Sequence, residues 1–327
     1  MRLQRAATLI ALVIAFIVLC FWRSQSWALP RTPEGWANQK EQTDSGYGSP
    51  VHLADLEDRS INESSGIAAS RRNPKLFWTH NDSGDGPFIY AFDRQGKHRG
   101  VWRVAGASAI DWEDIAVGPG PTSHQSYIYI GDIGDNSRKR DEIIVYRVIE
   151  PLIVSEYSSS TKRQPRNTDA ADVIQLRYPD GKHDAETLLV HPSTGDLYIV
   201  TKVMGAAAGV YKLKAPLPKS MATTLVHVGD IRFPNRMIGF ITGGDISPDG
   251  KRVVLCDYLG GCELLLAKTQ SVGFDAIWKQ PPVPINLGSR RQGEAICYGS
   301  DGSALFLTSE GVPCPLIEIP RRKKRVM

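Results

Sequence analysis

The segment Asp111-Trp-Glu-Asp-Ile-Ala116 decides the fold, because four other segments share its pattern of polar residues before an aliphatic anchor. The counterparts are Glu63-Ser-Ser-Gly-Ile-Ala68, Asp184-Ala-Glu-Thr-Leu-Leu189, Thr242-Gly-Gly-Asp-Ile-Ser247 and Gln292-Gly-Glu-Ala-Ile-Cys297. The aliphatic anchors are 48, 73, 58 and 50 residues apart, and they are Ile67, Ile115, Leu188, Ile246 and Ile296. A period of about 40–50 residues is typical of the four-stranded blades of a β-propeller, so the sequence predicts an all-β propeller.

Each anchor is followed by segments of high β-propensity that are separated by turn residues. After Ile246 comes the turn Ser247-Pro-Asp-Gly250, then the apolar segments 253–255 and 263–266 and the more polar segment 283–286. The first four repeats follow this order. Short runs of β-branched and aromatic residues broken by turn residues are typical of β-strands, so we predict four strands per repeat.

The fifth repeat ends near Pro320 and has no fourth strand of its own. The segment Val51–Asp55, upstream of the first repeat, has the composition of a strand and can complete that sheet. Closure by an N-terminal strand leaves no unpaired edge where the ring closes. The sequence therefore predicts a β-propeller of five four-stranded blades. Six blades are the alternative, which needs strands hidden in the polar stretch Ser155–Asp172, and the composition of that stretch argues against them.

The start of the chain has the layout of a secretory signal. Arg2 and Arg5 precede the apolar run Ala6–Trp22, and Ser26-Trp-Ala28 supplies a small-residue cleavage site. An uncleaved anchor is the alternative, because a run of this length is near the lower limit for a membrane-spanning helix. We therefore predict a secreted or periplasmic protein, or one that an uncleaved N-terminal anchor holds in a membrane and that faces outside.

The sequence divides into a signal peptide or anchor at 1–28, a linker at 29–50, the propeller at 51–320 and a basic tail at 321–327. The chain has a formal charge of +4, but the first and last of these parts hold much of its excess positive charge. The propeller itself is acidic, so we predict no nucleic-acid partner. We expect a monomer with a small-molecule or protein ligand at the propeller rim.

Four cysteines follow the signal segment, namely Cys256, Cys262, Cys297 and Cys314. Cys256 and Cys262 flank a short turn, and a bridge between them would leave Cys297 to pair with Cys314. An even number of cysteines in an oxidising compartment favours disulfides. Free thiols are the alternative, and the absence of nearby histidines argues against a zinc site.

Acidic residues recur at fixed positions before the anchors. Two residues before them stand Ser65, Glu113, Glu186, Gly244 and Glu294, and four before them stand Glu63, Asp111, Asp184, Thr242 and Gln292. In a propeller these positions share one rim with the residues that follow the second strands. Carboxylates converging on one opening repel one another unless a cation or a proton relieves them, and oxygen-rich sites favour Ca²⁺ or Mg²⁺ over Zn²⁺.

The predicted site contains three groups of residues. We assign a divalent cation, with Ca²⁺ favoured, to Glu63, Asp82, Asp85, Asp114, Asp132, Asp135, Asp184 and Asp245. We assign ligand contacts at the rim to His80, Lys202, Asp257 and Glu310. The candidates for a catalytic general base are Glu113, Glu186 and Glu294, because a glutamate beside a cation can take a proton from water.

The stretch Asn81-x-Ser83-x-Asp85-Gly86 follows the opening of an EF-hand calcium loop, in which alternate oxygen-bearing residues precede a glycine. Phe92 occupies the position of the distal acid, so a complete EF-hand is excluded. Turns stabilised by Asp and Asn side chains give the same pattern at strand ends. The stretch therefore predicts either a truncated calcium loop or such a turn.

Five segments of the chain resemble a group of exported bacterial propellers, most of them uncharacterised, which are similar to propellers labelled phytase-like or esterase-like. The segments are Trp112-Glu-Asp-Ile-Ala116, Gly131-Asp-Ile-Gly-Asp-Asn136, Asp184-Ala-Glu186, Asp245-Ile-Ser247 and Gln292-Gly-Glu-Ala295. The resemblance covers roughly residues 55 to 320 and implies a calcium-binding propeller that acts on phosphate esters. An inositol-phosphate substrate needs several Arg or Lys contacts, and the predicted rim offers Lys202 alone, which argues against a phytase role.

Two functions of different classes follow from these residues. The first is an exported propeller whose acidic rim binds a divalent cation together with a ligand or partner. The alternative is a Ca²⁺-dependent hydrolase of phosphate or carboxyl esters. Propellers host both kinds of protein, so the fold does not separate the two functions.

Overall fold

The computed structural model describes residues 46–219, 221–233, 240–267 and 273–322 of the chain. It contains two short 3-10 helices, η1 (Ser155–Ser159) and η2 (Phe274–Lys279). In chain order the strands are β1 (Val51–Asp55), β2 (Ser64–Ala69), β3 (Leu76–Asn81), β4 (Phe88–Asp93), β5 (His98–Ala105), β6 (Trp112–Pro119), β7 (Ser126–Asp132), β8 (Ile143–Ile149), β9 (Arg166–Ala170), β10 (Asp172–Arg177), β11 (Ala185–Val190), β12 (Leu197–Thr201), β13 (Ala208–Leu213), β14 (Thr223–Thr224), β15 (Val226–Ile231), β16 (Gly243–Ile246), β17 (Arg252–Cys256), β18 (Gly261–Leu265), β19 (Val283–Ile285), β20 (Ile296–Tyr298), β21 (Ala304–Leu307) and β22 (Pro315–Pro320).

The strands form five separate sheets, which are the five blades of the predicted propeller. From the innermost strand outward, blade 1 has the order β2-β3-β4-β5, blade 2 β6-β7-β8-β10, blade 3 β11-β12-β13-β15 and blade 4 β16-β17-β18-β19. Blade 5 has the order β20-β21-β22 and is completed by β1, which pairs antiparallel with β22. The predicted closure by an N-terminal strand is confirmed, and the six-bladed alternative is wrong.

Packing between neighbouring blades explains why an aliphatic anchor recurs in each repeat. Five hydrophobic clusters fill the spaces between adjacent blades. Each anchor is at most 2% exposed and lies in a different cluster, so one side chain per repeat seals one space between blades. Burying a large aliphatic side chain stabilises a fold by roughly 1.5–3 kcal/mol, which favours the same residue type at all of these positions.

The polar stretch Ser155–Asp172 differs from the prediction because it contains a strand. After η1 it forms β9, which runs parallel to β5 and adds a further strand to blade 1. Tyr157 packs against Trp102 with a ring-centroid distance of 5.8 Å, and Ser160 Oγ accepts a hydrogen bond of 2.9 Å from Val101 N. The stretch thus covers the outer edge of blade 1 instead of building another blade, and β14 covers the outer edge of blade 2 in the same way.

The four cysteines of the propeller are buried free thiols. The register of β17 and β18 places the side chains of Cys256 and Cys262 on opposite faces of blade 4, in different hydrophobic clusters. This geometry explains why the predicted bridge between them is not formed. Cys297 and Cys314 share one cluster but are not bonded to each other. Burial raises the pKa of the Cys256 thiol to about 11, which disfavours the reactive thiolate.

Backbone pairing extends past both predicted ends of the propeller. Arg322 N donates to Gly46 O at 2.7 Å, and Tyr47 forms a β-bridge with Arg321. The Tyr47 hydroxyl also donates to Glu263 Oε1 at 2.7 Å. The paired region is therefore 46–322 instead of 51–320. The predicted signal segment 1–28, linker residues 29–45 and tail residues 323–327 lie outside the described residues. Within the described ranges, no helix is long and apolar enough to cross a membrane.

Candidate functional site

The residues before the anchors and the residues after the second strands meet at one rim of the propeller, because the first two strands of each blade are antiparallel. We call this the upper rim, where innermost strands begin and second strands end; the lower rim is at the opposite end. In three blades the pairing shifts register two residues before the anchor, at Ser65, Glu113 and Glu186. Such a bulge changes the direction in which a side chain points. Glu113 and Glu186, which stand at two of these bulges, lie close enough to repel each other electrostatically.

Three carboxylates from blades 1 and 2 form a compact cluster at the upper rim, which we call the acidic trio. Asp82 follows β3, Asp111 precedes β6 and Glu113 lies within β6, and one oxygen from each lies within 4.8 Å of the others. Asp82 N donates to Glu63 O at 2.9 Å, and Asp111 N donates to Asp132 Oδ1 at 3.2 Å. These bonds fix the backbone on both sides of the trio, whose oxygens have the chemistry to hold a hard cation such as Ca²⁺.

The lack of a side chain at Gly134 leaves room for the carboxylates of the trio. Its N–H donates to Asp111 O at 3.2 Å, which holds the loop after β7 against the start of β6. A β-carbon at this position would overlap Glu113 Oε1 and lie 2.5 Å from Asp111 Oδ2. Both carboxylates can therefore keep their positions only when residue 134 has no side chain.

A lysine and two aromatic rings form the wall of the opening on blades 3 and 4. Lys202 Nζ forms an ion pair with Glu186 Oε1 and lies 4.8 Å from the centre of the Phe240 ring and 5.8 Å from that of Tyr258. The Phe240 and Tyr258 rings contact each other edge to face at 5.3 Å. Burial opposes a charge on Lys202, but the adjacent Glu186 outweighs it and raises the pKa, so the lysine is cationic.

A second pair of carboxyl groups lies on blade 5. Gln292 Nε2 donates to Glu310 Oε1 at 3.0 Å and to Glu294 Oε1 at 3.4 Å. Glu294 is 5% exposed, and its Oε2 has no hydrogen-bond partner within the described structure. The same holds for Glu186 Oε2. Buried oxygens without a donor are costly, so this side of the opening is ready to accept a proton, a cation or a ligand donor.

Burial and mutual repulsion keep protons on this cluster at pH values where free carboxyl groups are ionised. Burial and the neighbouring carboxylates raise the pKa of Glu294 to about 8, and burial raises the pKa of Glu186 to about 7 in spite of its ion pair. Burial and nearby aspartates raise the pKa of Asp111 to about 6. The pKa of Glu113 is also raised, by burial and by Glu186. A bound divalent cation would relieve the same repulsion.

Three aspartates that we predicted as cation ligands instead support the backbone around the trio. Asp132 Oδ1 pairs with Arg140 Nη1 at 2.8 Å. Asp135 accepts hydrogen bonds from the backbone N–H groups of Lys139 and Arg140 at 2.8 and 2.7 Å. Asp184 Oδ1 accepts one from Asp135 N at 2.8 Å. These oxygens are engaged in shaping the loop after β7, next to the trio.

Asp85, another predicted ligand, is held by side chains of blade 1 and the covering stretch. Its carboxylate forms an ion pair with Lys162 and accepts a hydrogen bond from the Tyr90 hydroxyl at 2.9 Å. The Asp85 side chain is only 5% exposed. Of the calcium-loop-like stretch, the structure brings Asp82 to the trio and leaves Asp85 in a side-chain-stabilised turn.

Asp114 and Asp245 each join their own blade to the next one. Each accepts a hydrogen bond from the N–H of the anchor that follows it. Each also accepts one from the next blade, from Leu188 N at 2.9 Å for Asp114 and from Tyr298 N at 2.9 Å for Asp245. Burial raises the pKa of both carboxyl groups, that of Asp245 to about 7. The structure therefore places these two predicted ligands as links between blades.

Of the four predicted ligand contacts, Lys202 and Glu310 lie at the opening. His80 is fully buried, its Nδ1 lies 2.8 Å from Asn81 O, and burial lowers its pKa. Asp257 Oδ1 accepts two backbone hydrogen bonds within its own turn at 2.7 and 2.8 Å. Glu63, predicted as a metal ligand, contributes its backbone carbonyl next to Asp82. His80 and Asp257 thus act as supports in the structure.

The sequence analysis noted Asp111 four residues before its anchor without assigning it to the cation, and it did not single out Gly134, Phe240 or Tyr258. The position of Asp111 four residues before an anchor was a usable signal. Gly134 lies within an acidic turn whose glycines look alike in sequence. The two aromatic residues gave no signal, because their place at the opening depends on side-chain packing against Lys202.

No protein-family model matches the chain, and no curated protein matches it in sequence. Among solved structures it is similar to a gluconolactonase from Xanthomonas campestris, with 14% identity and a TM-score of 0.43, covering 85% of this chain and 91% of that one. It is also similar to the Dos1 propeller, with 10% identity and a TM-score of 0.34, covering 81% of this chain and 94% of that one. At these TM-scores neither likeness supports an inference about activity.

The cation-free protein is expected to lose stability as pH rises from 6.5 to 9. The folded pKa values of Glu186, Asp245 and Glu294 lie above those of the unfolded chain, so the folded state holds protons that the unfolded chain has released. That advantage is lost as pH passes each folded pKa, and the three groups together cost about 4 kcal/mol between pH 6.5 and 9, or about 7 °C in Tm. The depressed pKa values of His80 and His191 lie below this window.

The measurement is thermal unfolding in EDTA at pH 6.5, 7.5 and 9, compared with the same series in Ca²⁺. A cation replaces protons in the cluster, so the fall in Tm is expected to be smaller in Ca²⁺. A Tm that rises through this window in EDTA would contradict the electrostatic picture.

Proposed function

We propose that the protein is exported and binds a divalent cation at its upper rim through Asp82, Asp111 and Glu113, with an oxygen-bearing ligand held beside it. The observation that carries the proposal is the convergence of three carboxylates from two blades on a space that Gly134 keeps open. Ca²⁺ is favoured because every candidate ligand atom is a carboxylate oxygen, and Ca²⁺ accepts such ligands in flexible arrangements. Glu113, predicted as a general base, is assigned to the cation instead.

Saturating Ca²⁺ is expected to raise the Tm of the EDTA-treated protein by about 5 °C. Ligand at 100 times its Kd stabilises a folded chain by about 2.7 kcal/mol, which corresponds to a shift of this size for a domain of about 270 residues. Glu113→Gln is expected to abolish most of the shift, since it removes one ligand charge. Glu156→Gln, at an exposed position on η1, is the matched control and should behave as the unmodified chain does. An unchanged Tm in both EDTA and Ca²⁺ would refute the proposal.

A second candidate function is hydrolysis of carboxyl esters, and the pKa values of Glu186 and Glu294 favour it. At about 7 and 8, they allow these groups to take and return a proton near neutral pH. Phosphate esters fit less well, because the opening presents Lys202 among several carboxylates. An ester screen of the Ca²⁺-loaded protein separates the two functions. Activity that survives in both Glu186→Gln and Glu294→Gln would exclude these residues as the base.

A further inference from the structure

The upper rim carries exposed apolar side chains on blades 3 and 4 that the cation site does not use. Met204 and Leu259 each stand three residues after the end of a second strand, in blades 3 and 4, and they are 72% and 68% exposed. Next to them are the rings of Phe240 and Tyr258, which contact each other at 5.3 Å. The β-bridge between Lys202 and Phe240 holds the first of these rings at the opening. We call Met204, Phe240, Tyr258 and Leu259 the apolar crest.

The corresponding positions in blades 1 and 2 are Gly84 and Asp135, which carry no apolar side chain. There the second strands lead into Asp82 and into Asp132, and Asp82 belongs to the acidic trio. The acidic trio and the apolar crest therefore lie on different blades of the same rim, and Ile110, next to Asp111 in blade 2, adds an apolar side chain that is 59% exposed. Lys202 lies beside the crest, with its ammonium group over both aromatic rings. A ligand that contacts both the acidic trio and the apolar crest must itself be amphiphilic.

The carboxylates of the opening argue against an anionic ligand, and a metal ion bound at the trio would repel a cationic one. Lys202 is already paired with Glu186, and the carboxyl groups of Glu294 and Glu310 lie next to each other on blade 5. An anionic head group would add repulsion to this set, whereas a carbonyl or hydroxyl oxygen can approach a cation without adding charge. Such an oxygen can also accept a hydrogen bond from Lys202 or from a protonated glutamic acid.

We propose that the ligand is a neutral single-chain amphiphile of the alkyl-ester class, with its carbonyl at the acidic trio and its alkyl chain on the apolar crest. This proposal rests on the proposed function, because the cation anchors the polar end. The alkyl chain removes the side chains of Met204 and Leu259 from water, together with one face of the Phe240 and Tyr258 rings. The affinity of the protein for the ligand must then depend on the length of the alkyl chain.

The test measures the binding of methyl ketones from 2-butanone to 2-decanone to the Ca²⁺-loaded protein by calorimetry. Methyl ketones keep the neutral carbonyl and cannot be hydrolysed. Half-burial of each methylene is expected to raise affinity about twofold, so the six methylenes of the series give about 60-fold in total. The double variant Met204→Ser, Leu259→Ser is expected to reduce this gradient to fivefold or less. The control is Leu265→Ser, which alters an apolar residue that is 43% exposed at the lower end of β18 and should keep the gradient.

Titration of Ca²⁺ on the same samples separates the two proposals. Ca²⁺ binding combined with ketone affinity that is independent of chain length would overturn the ligand proposal alone. Absence of Ca²⁺ binding would overturn both. A gradient that persists in the double variant would also overturn the assignment to the crest. A second copy of the chain could cover the crest instead, and a concentration-dependent dimer that the double variant abolishes would count against the amphiphile.

Discussion

Replacing Gly134 by alanine is expected to weaken Ca²⁺ binding about 100-fold while leaving the fold intact. The new β-carbon would overlap Glu113 Oε1 and lie 2.5 Å from Asp111 Oδ2, so both carboxylates must move. They are ends of flexible side chains, so the displacement costs the fold little, but a cation loses two correctly placed ligands. Mutating groups that orient metal ligands lowers metal affinity roughly 10–100-fold. Because Gly134→Ala displaces the ligands themselves, we expect a loss of affinity at the upper end of this range.

The measurement is a Ca²⁺ titration by calorimetry, with urea unfolding in EDTA to follow stability. Gly260→Ala is the matched control, because a β-carbon there meets no atom within 4 Å and should leave both quantities unchanged. Undiminished Ca²⁺ affinity in Gly134→Ala would show that the cation binds elsewhere. A loss of affinity that is matched by a large loss of stability would instead indicate damage to the loop.

The fold could be predicted from sequence because each repeat has to satisfy the same local requirement. One aliphatic anchor per blade seals one space between blades, and this recurrence is visible without coordinates. The closing strand Val51–Asp55 could be predicted because the fifth repeat was one strand short. The strand β9 could not, since Arg166–Ala170 is polar and pairs only because Tyr157 and Ser160 attach its stretch to blade 1.

The site was less predictable than the fold, because sequence gives the rim on which a residue lies but not what its side chain contacts. Asp82 and Asp85 look equivalent in sequence, yet Lys162, from a different part of the chain, pairs with Asp85. Asp114 is adjacent to Glu113, but successive side chains of a strand point to opposite faces of the sheet. The Asp114 carboxylate therefore accepts a hydrogen bond from the backbone of blade 3. Such outcomes depend on long-range partners, which no local pattern contains.

The lower rim provides the largest stability effect that we expect from one substitution. Glu150 directly follows β8 of blade 2 and is fully buried. Its carboxylate accepts hydrogen bonds from Trp78 Nε1 at 2.9 Å and from Arg72 N at 3.1 Å in blade 1, and from Ser126 Oγ at 2.5 Å in blade 2. The Ser70 hydroxyl of blade 1 donates to the same carboxylate. One buried side chain therefore joins two blades by satisfying several donors at once.

Glu150→Ala is expected to lower the free energy of unfolding by about 4 kcal/mol, because it leaves these buried donors without an acceptor and opens a cavity. Urea unfolding in EDTA measures the loss, and Glu156→Ala, at an exposed position, should change stability by less than about 0.5 kcal/mol. The folded fraction of Glu150→Ala should still bind Ca²⁺ with unchanged affinity, since the acidic trio lies at the opposite rim of the same two blades. A loss below about 1 kcal/mol would show that hydrophobic packing alone holds blades 1 and 2 together. A parallel loss of Ca²⁺ affinity would show that the lower rim also fixes the trio.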